Sequence, residues 1–249
     1  PPEALVSLFG GEKPPSFPLP AAGLRLNCLE RIPTRLPAMK GETLTMDGMI
    51  LCRPDESLLT AVAAYRKEFE NDLTKIGGGG CMRQEADPVK WLAKCRSFEQ
   101  RETCPAELVP ATQYVYVRKR DGKIVGVLQL RHELNDYLLQ FAGHIGYSVC
   151  PSERRKGYAK AMLHDALDEA RKLGLTRVLI TCGDWNEGSR RTILANGGVL
   201  ESKAYEPDDQ EWLERYWIQL QKARRDDFSP HCAEKTRPVK QHGRAFLLR

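Results

Sequence analysis

The chain has 249 residues, of which 41% are hydrophobic and 29% are charged, and its formal net charge is +5. This composition is ordinary for a globular protein of one large domain with extensions. No apolar run reaches the roughly 18 residues that would span a bilayer. The first residues, Pro1-Pro2-Glu3, lack the basic and apolar regions of a secretory signal. We therefore expect a cytoplasmic protein without a membrane partner.

The charge is concentrated at the C-terminal end. Residues 222–249 hold eight Lys or Arg and three Asp or Glu, a net +5, and the other 221 residues hold 30 of each sign. A basic tail could bind nucleic acid, but a solvated terminus is the favoured interpretation. At the other end, residues 1–48 contain eight of the sixteen prolines. We predict a Pro-rich arm over 1–48, a folded domain over 49–221 and a basic tail over 222–249.

The eight cysteines are scattered and form no C-x-x-C pair. This spacing argues against a zinc site or a thioredoxin-like motif, and we predict no metal site. Free thiols in a reducing cytoplasm are favoured over a disulfide framework.

The predicted elements follow one another in a mixed α/β order. The predicted strands are 49–52, 114–117, 124–130, 144–149, 177–182, 199–204 and 215–220, and the predicted helices begin after Asp55, at Pro88, at Tyr158 and at Asn186. Asp121-Gly122 is typical of a hairpin turn between the second and third strands. The glycines at 77–80 favour a flexible connector over a ligand-binding loop.

A turn with three cations lies between a predicted strand and an amphipathic helix. Its sequence is Arg154-Arg155-Lys156-Gly157-Tyr158-Ala159. A helix start offers unpaired backbone N–H groups and a partial positive charge, and a glycine lets an anion approach the backbone. The turn therefore predicts a site for a phosphorylated ligand. The Walker A and G-x-G-x-x-G patterns are absent from the sequence, which disfavours a P-loop or Rossmann site.

The remaining pattern, [Q/R]-x-x-G-x-[G/A], is filled by Arg154, Gly157 and Ala159. Together with its context it resembles the GNAT superfamily, the Gcn5-related N-acetyltransferases, from about Met49 to Leu220. The resemblance implies an α/β fold whose mixed, mostly antiparallel central sheet is splayed between its fourth and fifth strands and flanked by helices. Within the superfamily the chain looks like a bacterial branch of predicted acetyltransferases of unknown acceptor, through Arg131-His132-x-Leu134-Asn135, Gly143-His144-Ile145-Gly146-Tyr147 and Arg215-Tyr216-Trp217-Ile218.

The resemblance implies acetyl-CoA as the donor and a primary amine, on a small molecule or a peptide, as the acceptor. The loop at 154–159, namely Arg154, Arg155, Lys156, Gly157, Tyr158 and Ala159, would hold the CoA pyrophosphate. The strand edge Tyr147, Ser148 and Val149 would pair with the pantetheine arm, together with Asn186 and Ser189. Asn186 could equally be the N-cap of its own helix.

Direct attack of the amine on the thioester calls for a base. His144 is the candidate general base and Glu133 the alternative, although His144 could instead bond across the sheet. Many GNAT members carry a tyrosine general acid seven residues after the position of Asn186, where this chain has Ile193. A CoA-binding sensor with little catalysis is therefore the alternative to an N-acetyltransferase. A homodimer is a candidate assembly.

Overall fold

The structure, a computed structural model, describes residues 48–72 and 74–220. The predicted tail at 222–249 and the predicted arm, apart from Gly48, lie outside the described residues. None of the helices in the described residues is both long enough and apolar enough to cross a membrane.

The described elements appear in the predicted order. They are β1 (Met49–Cys52), α1 (Leu59–Lys67), α2 (Pro88–Ser97), β2 (Ala111–Arg118), β3 (Lys123–Arg131), β4 (Ile145–Val149), α3 (Tyr158–Lys172), β5 (Arg177–Gly183), α4 (Glu187–Leu194), β6 (Val199–Glu206) and β7 (Glu211–Gln219). The sequence did not predict a π-helical turn at Leu138–Ala142 or the short 3-10 turn Pro151–Glu153 before α3.

The helix boundaries have local chemical causes. The Asp87 side chain caps α2 by accepting the Val89 N–H at 2.9 Å, and Pro88 occupies the first turn, where its missing N–H costs nothing. At the end of α3, Gly174 has φ of 83° and its N–H bonds to the Arg171 carbonyl, so the helix stops there.

The strands form two sheets. The first has the order β1-β2-β3-β4 and the second the order β5-β7-β6, and every neighbouring pair is antiparallel. The hairpin between β2 and β3 turns at Asp121-Gly122, as predicted, with Arg118 paired to Lys123. The predicted splay between the fourth and fifth strands is confirmed, since β4 and β5 belong to different sheets.

Apolar side chains fill both faces of the first sheet. On one face, α3 buries Met162, Leu163 and Ala166 in a cluster that also contains Val178 and Ile180 of β5, so this cluster spans both sheets. On the other face, α1 and α2 bury Tyr65, Trp91 and their neighbours against β2 and β3. The core therefore consists of two layers separated by the first sheet.

The glycines at 77–80 are packed, which contradicts the prediction of a flexible connector. The Trp91 indole donates to the Gly79 carbonyl at 2.9 Å, and the Gln113 amide donates to the Gly78 carbonyl at 2.8 Å. A Cβ at Gly77 would lie 2.8 Å from the Tyr147 carbonyl oxygen. The absence of side chains thus lets this segment lie directly on the backbone of β4.

The two sheets meet at one junction, formed by the residues that precede β4. Gly143 makes an isolated bridge to Ile180, and the His144 N–H donates to the Leu179 carbonyl at 2.7 Å. The Leu179 N–H in turn donates to His144 Nδ1 at 2.9 Å, so the imidazole replaces a backbone acceptor. The His144 ring is buried, and burial, followed by the nearby Arg131 charge, lowers its pKa to about 4.

Substitution of Gly143 tests how closely the sheets approach at this junction. A Cβ at Gly143 would collide with the Leu179 backbone, whereas a Cβ at Gly122 would meet no atom within 4 Å. The φ angles of the two glycines are nearly equal, 69° and 68°, but Gly143 also has a ψ of −169°, a combination that almost only glycine adopts. Backbone strain and the collision therefore both raise the cost of an alanine at Gly143. We expect Gly122→Ala to lower the free energy of unfolding by about 1 kcal/mol and Gly143→Ala by at least about twice that, measured by chemical denaturation. Equal losses would contradict the close approach.

The pH dependence of stability tests the buried neutral imidazole. Because the pKa of His144 falls from 6.5 to about 4 on folding, the unfolded state binds its proton more tightly. Its contribution is therefore complete above pH 6.5 and is lost as pH falls toward 4. We expect the free energy of unfolding of the wild type, relative to His144→Gln, to decline over this window by roughly 1–3 kcal/mol. Parallel pH profiles for the two proteins would rule out this account.

Candidate functional site

The edge of β4 that faces away from β3 carries backbone groups without a strand partner among the described residues. The Cys150 N–H bonds to Val125 and the Arg131 N–H bonds to the His144 carbonyl. In an antiparallel pair such bonds alternate, so Gly146 and Ser148 point toward β3 and Tyr147 and Val149 point away from it. The donors and acceptors of Tyr147 and Val149 therefore line the gap between the two sheets.

Ser148 lies in the predicted strand edge but has a different environment. Its hydroxyl donates to the Gly77 carbonyl at 2.7 Å and lies 3.0 Å from the Tyr65 hydroxyl. Its backbone is engaged with β3. Ser148 thus fixes the α1–α2 connection against β4, and Tyr147 and Val149 provide the open edge.

The cationic turn lies directly after this edge and begins α3. Gly157 is the N-cap of α3 with φ of 85°, no side chain caps the helix, and Arg155 also has a positive φ of 64°. Within the described part of the chain, no backbone partner accepts a hydrogen bond from the N–H groups of residues 155–160. The turn therefore presents a row of amide donors at the positive end of a 15-residue helix dipole.

The three cations of the turn are not equivalent. The Arg154 guanidinium pairs with Asp72 at 2.9 Å and donates to the Val149 carbonyl at 3.3 Å. Lys156 pairs with Glu153 at 2.8 Å. Arg155 is exposed and has no ion-pair partner among the described residues. The three cations are adjacent in the sequence, but two of them are neutralised. Arg154 is paired with Asp72, which follows α1, and Lys156 is paired with Glu153, which precedes α3.

Glu153 anchors the turn from beneath. It is 6% exposed, and Arg118 of β2 donates to its carboxylate at 3.0 Å. The hydrogen bond from Lys156, followed by that from Arg118, outweighs desolvation and lowers its pKa to about 2. Arg118 also donates to the Tyr158 hydroxyl at 3.4 Å. Glu153 was missed by sequence reasoning, although an acidic residue beside three cations is a visible signal.

Across the gap, Asn186 and Ser189 lie at the start of α4. The Asn186 side chain accepts the Ser189 N–H at 3.0 Å, which makes it the N-cap of α4. The Tyr147 hydroxyl lies 2.8 Å from Ser189 Oγ, so a side chain from β4 spans the gap to α4. The structure thus brings Tyr147, Asn186 and Ser189 together beside the open edge.

The two candidate bases have other partners. His144 Nδ1 accepts the Leu179 N–H, so the lone pair that would take a proton is already used. Glu133 lies on the surface with its side chain 58% exposed, 3.7 Å from Arg101. These contacts give His144 and Glu133 structural roles that do not involve catalysis.

Ile193 and Cys150 are both buried. Ile193 is part of the apolar cluster beneath α3, and a Cβ at Gly198 would collide with its side chain. Burial raises the pKa of the Cys150 thiol to about 11, which keeps it neutral at physiological pH. Among the described residues no cluster of His, Cys, Asp or Glu is arranged to bind a metal, and the six described cysteines are free thiols.

Residues 83–197 match the acetyltransferase (GNAT) family. No curated protein matches the chain. Among solved structures, a ribosomal-protein-S5-alanine acetyltransferase from Vibrio fischeri superposes with a TM-score of 0.54 at 21% identity, covering 75% of this chain and 98% of that one. The microcin C7 self-immunity acetyltransferase MccE, in complex with acetyl-CoA and AMP, gives 0.54 at 18% identity, with coverages of 70% and 93%.

A spermidine N-acetyltransferase chimera from Vibrio cholerae and hSSAT is also similar, with a TM-score of 0.50 at 15% identity and coverages of 70% and 95%. At these identities the structures show a shared fold, and the family match covers the segment from before α2 to beyond α4. The matched segment, residues 83–197, is therefore a GNAT acetyltransferase segment, the acyltransferase class that the motifs predict.

Proposed function

We propose that this domain binds acetyl-CoA and transfers its acetyl group to an amine by direct attack on the thioester. The observation that supports this most strongly is the adjacency of two features. The uncapped start of α3 offers amides to a pyrophosphate. The edge at Tyr147 and Val149 has no strand partner among the described residues, although Arg154 donates to the Val149 carbonyl, and it offers hydrogen-bonding groups to the pantetheine amides. Both kinds of group are what acetyl-CoA requires.

The residues divide this binding between them. The amides of Lys156, Gly157, Tyr158 and Ala159 bind the pyrophosphate, and the exposed Arg155 supplies a positive charge that no described carboxylate neutralises. Arg154 and Lys156 shape the turn through Asp72 and Glu153. Asn186 and Ser189 border the pantetheine arm from the α4 side, with Ser189 fixed by Tyr147.

The chemistry makes unequal demands on the protein. An alkylammonium of pKa near 10.4 must lose a proton before it attacks, which costs about 4–5 kcal/mol at neutral pH. A thiol of pKa near 8.5 leaves as thiolate at a cost of only about 2 kcal/mol. A general acid is therefore less necessary than a base, which fits the presence of buried Ile193 at the position of the common tyrosine. The Val149 N–H, on the open edge, is the oxyanion donor we propose.

Water is the proposed first proton acceptor. His144 uses its Nδ1 lone pair at the junction, and Glu133 is paired with Arg101 on the surface. A water chain along the gap between β4 and β5 would carry the proton away from the amine.

The acceptor amines named for the structural neighbours are diverse, a ribosomal-protein alanine in one and spermidine in another. We propose an amine on a small molecule or a peptide and a cytoplasmic location. We also propose that the domain extends over residues 49–221, a proposal supported by the described elements from Met49 to Gln219.

Calorimetry with CoA and a transfer assay with acetyl-CoA and a panel of amines test the proposed function. We expect CoA to bind and at least one amine to be acetylated in a protein-dependent manner. Binding of CoA without transfer to any amine would favour the sensor alternative, and failure to bind CoA would refute both.

Gly157 tests the amide site, and Gly174 at the other end of α3 supplies the control. Their φ angles are 85° and 83°, so an alanine costs similar backbone strain at either end. We expect Gly157→Ala to weaken CoA binding at least tenfold, because the added Cβ hinders approach to the amides. Gly174→Ala should leave the affinity within about twofold at a similar loss of stability. Equal affinities for the two variants in calorimetry would contradict the site.

Arg155 and Lys156 test the division of charge within the turn. Because Lys156 is paired with Glu153 and Arg155 has no such partner, removal of Arg155 should cost more donor affinity. We expect Arg155→Gln to weaken CoA binding about three- to tenfold at low salt, and less at high salt. Lys156→Gln should have the smaller effect. The reverse order would show that the ion pair with Glu153 opens when the donor binds.

A further inference from the structure

The hairpin between β6 and β7 brings carboxylates to one end of the second sheet. Gly183, the last residue of β5, is paired with Leu213, which is paired with Ala204 on β6. Glu206 lies two residues beyond Ala204, opposite Glu211, and Asp208 and Asp209 follow in the turn. This end of the sheet borders the gap, because α4 and Ser189 begin just after β5.

Glu206 projects from the face of the second sheet that is opposite α3. Paired residues of an antiparallel sheet share a face, and side chains alternate along a strand, so Glu206 shares its face with Leu213, Arg215 and Thr181. The π-helical turn covers that face, since Thr181 donates to the Phe141 carbonyl and Arg215 to the Leu139 carbonyl, at 2.8 and 3.0 Å.

The α1–α2 connection borders the same region from the other side. Gly77 lies against Tyr147 of β4, and Lys75, two residues earlier, pairs with Asp209 of the hairpin. One short segment therefore touches both the open strand edge and the hairpin. Between these two contacts the segment borders the opening of the gap, on the face opposite α3.

The carboxylate of Glu206 is buried and only half satisfied. The residue is 3% exposed; its Oε2 accepts the Asp209 N–H, but its Oε1 has no hydrogen-bond partner. A buried carboxylate oxygen without a partner is costly, and such atoms are rare in native proteins. A missing cationic or hydrogen-bonding partner is the simplest explanation for this one.

The nearby cations are engaged elsewhere. Lys75 pairs with Asp209. Arg131 donates to the carbonyl oxygens of Ala142 and Gly143, and no described contact brings its guanidinium within ion-pair distance of Glu206. Tyr137 is half exposed and its pKa is raised by burial and then by the charges of Glu206, Asp209 and Asp208. The negative charges of the hairpin therefore act on Tyr137, which borders the opening of the gap.

Distance decides which role Glu206 can play. The residue is two strands away from β5, and strands lie about 4.8 Å apart, so its backbone is roughly 10 Å from that of β5. A general base has to be within hydrogen-bond reach of the reacting amine, or one water away. Glu206 is too distant for that, but it is well placed for another part of the same acceptor molecule.

We propose that Glu206 binds a second cationic group of the acceptor, so that the preferred acceptors are amines with another ammonium or guanidinium roughly 10 Å from the reacting nitrogen. This inference rests on the proposed function, because it places the reacting amine in the gap. Asp208 adds charge at the rim, and Tyr137 borders the same approach.

Calorimetric titration with octanediamine and with octylamine, in the presence of saturating CoA, tests the second-cation site. We expect the diamine to bind the wild type at least tenfold more tightly than the monoamine. Glu206→Gln, which can still accept the Asp209 N–H, should abolish that preference and leave octylamine binding unchanged. Glu211→Gln removes the same charge from the partner position on β7 and should preserve the preference.

The inference is overturned if the wild type binds both amines equally, or if the preference survives in Glu206→Gln, which would leave Glu206 as a turn-forming residue only. Loss of the preference in Glu211→Gln to the same extent would show a general charge effect and would also overturn it. Acetyl transfer from acetyl-CoA to octylamine is measured in parallel. It reports on the proposed function by itself, so the two ideas can fail separately.

Discussion

Strand pairing between β4 and β5 ends almost as soon as it begins, and the rest of the site depends on that interruption. Gly143 and His144 join the sheets, after which Tyr147 and Val149 face a gap. Each ladder hydrogen bond given up is worth only about 0.5–1.5 kcal/mol net. Each large apolar side chain that α3 buries across both sheets contributes about 1.5–3 kcal/mol. Packing beneath α3 can therefore hold open an edge that backbone pairing would otherwise close.

The cationic turn likewise depends on contacts outside its own backbone. Ion pairs maintain its shape, and its backbone N–H groups remain available to bind a ligand. Arg155 holds a left-handed conformation that a non-glycine residue adopts at a cost of about 1–2 kcal/mol, and Gly157 follows with another. The buried Glu153, bonded to Arg118 and Lys156, and the pair between Arg154 and Asp72 hold the segment on both sides. Because Arg154 and Lys156 are already paired with carboxylates, they have less charge to offer a ligand. The amides and Arg155 remain available for binding.

The sequence predicted local features well, because their causes are local. Helix and hairpin boundaries are set by residues that act within a few positions, namely Asp87-Pro88, Asp121-Gly122 and Gly174. The elements that these residues begin or end were confirmed. The resemblance to GNAT motifs also predicted that the sheet is splayed. The contacts of the glycines at 77–80 with β4 could not be predicted, since they join residues about 70 positions apart. The pairing of His144 with the Leu179 N–H could not be predicted for the same reason, because an imidazole on a strand is compatible with a general base and with a bridge across the sheet.

The position of Glu206 relates charge recognition to reactivity. A carboxylate beside the reacting nitrogen would stabilise its ammonium form, and that form has no lone pair with which to attack a thioester. A carboxylate two strands away has a weaker effect, because the Coulomb energy at roughly 10 Å is about a third of its value at hydrogen-bond distance. The binding free energy of a second cation can then hold the acceptor in place, and it stabilises the ammonium form of the reacting amine less than a carboxylate in contact with that amine would. A half-satisfied carboxylate remote from the reaction is thus more useful to an acetyltransferase of cationic amines than one in contact with the nucleophile.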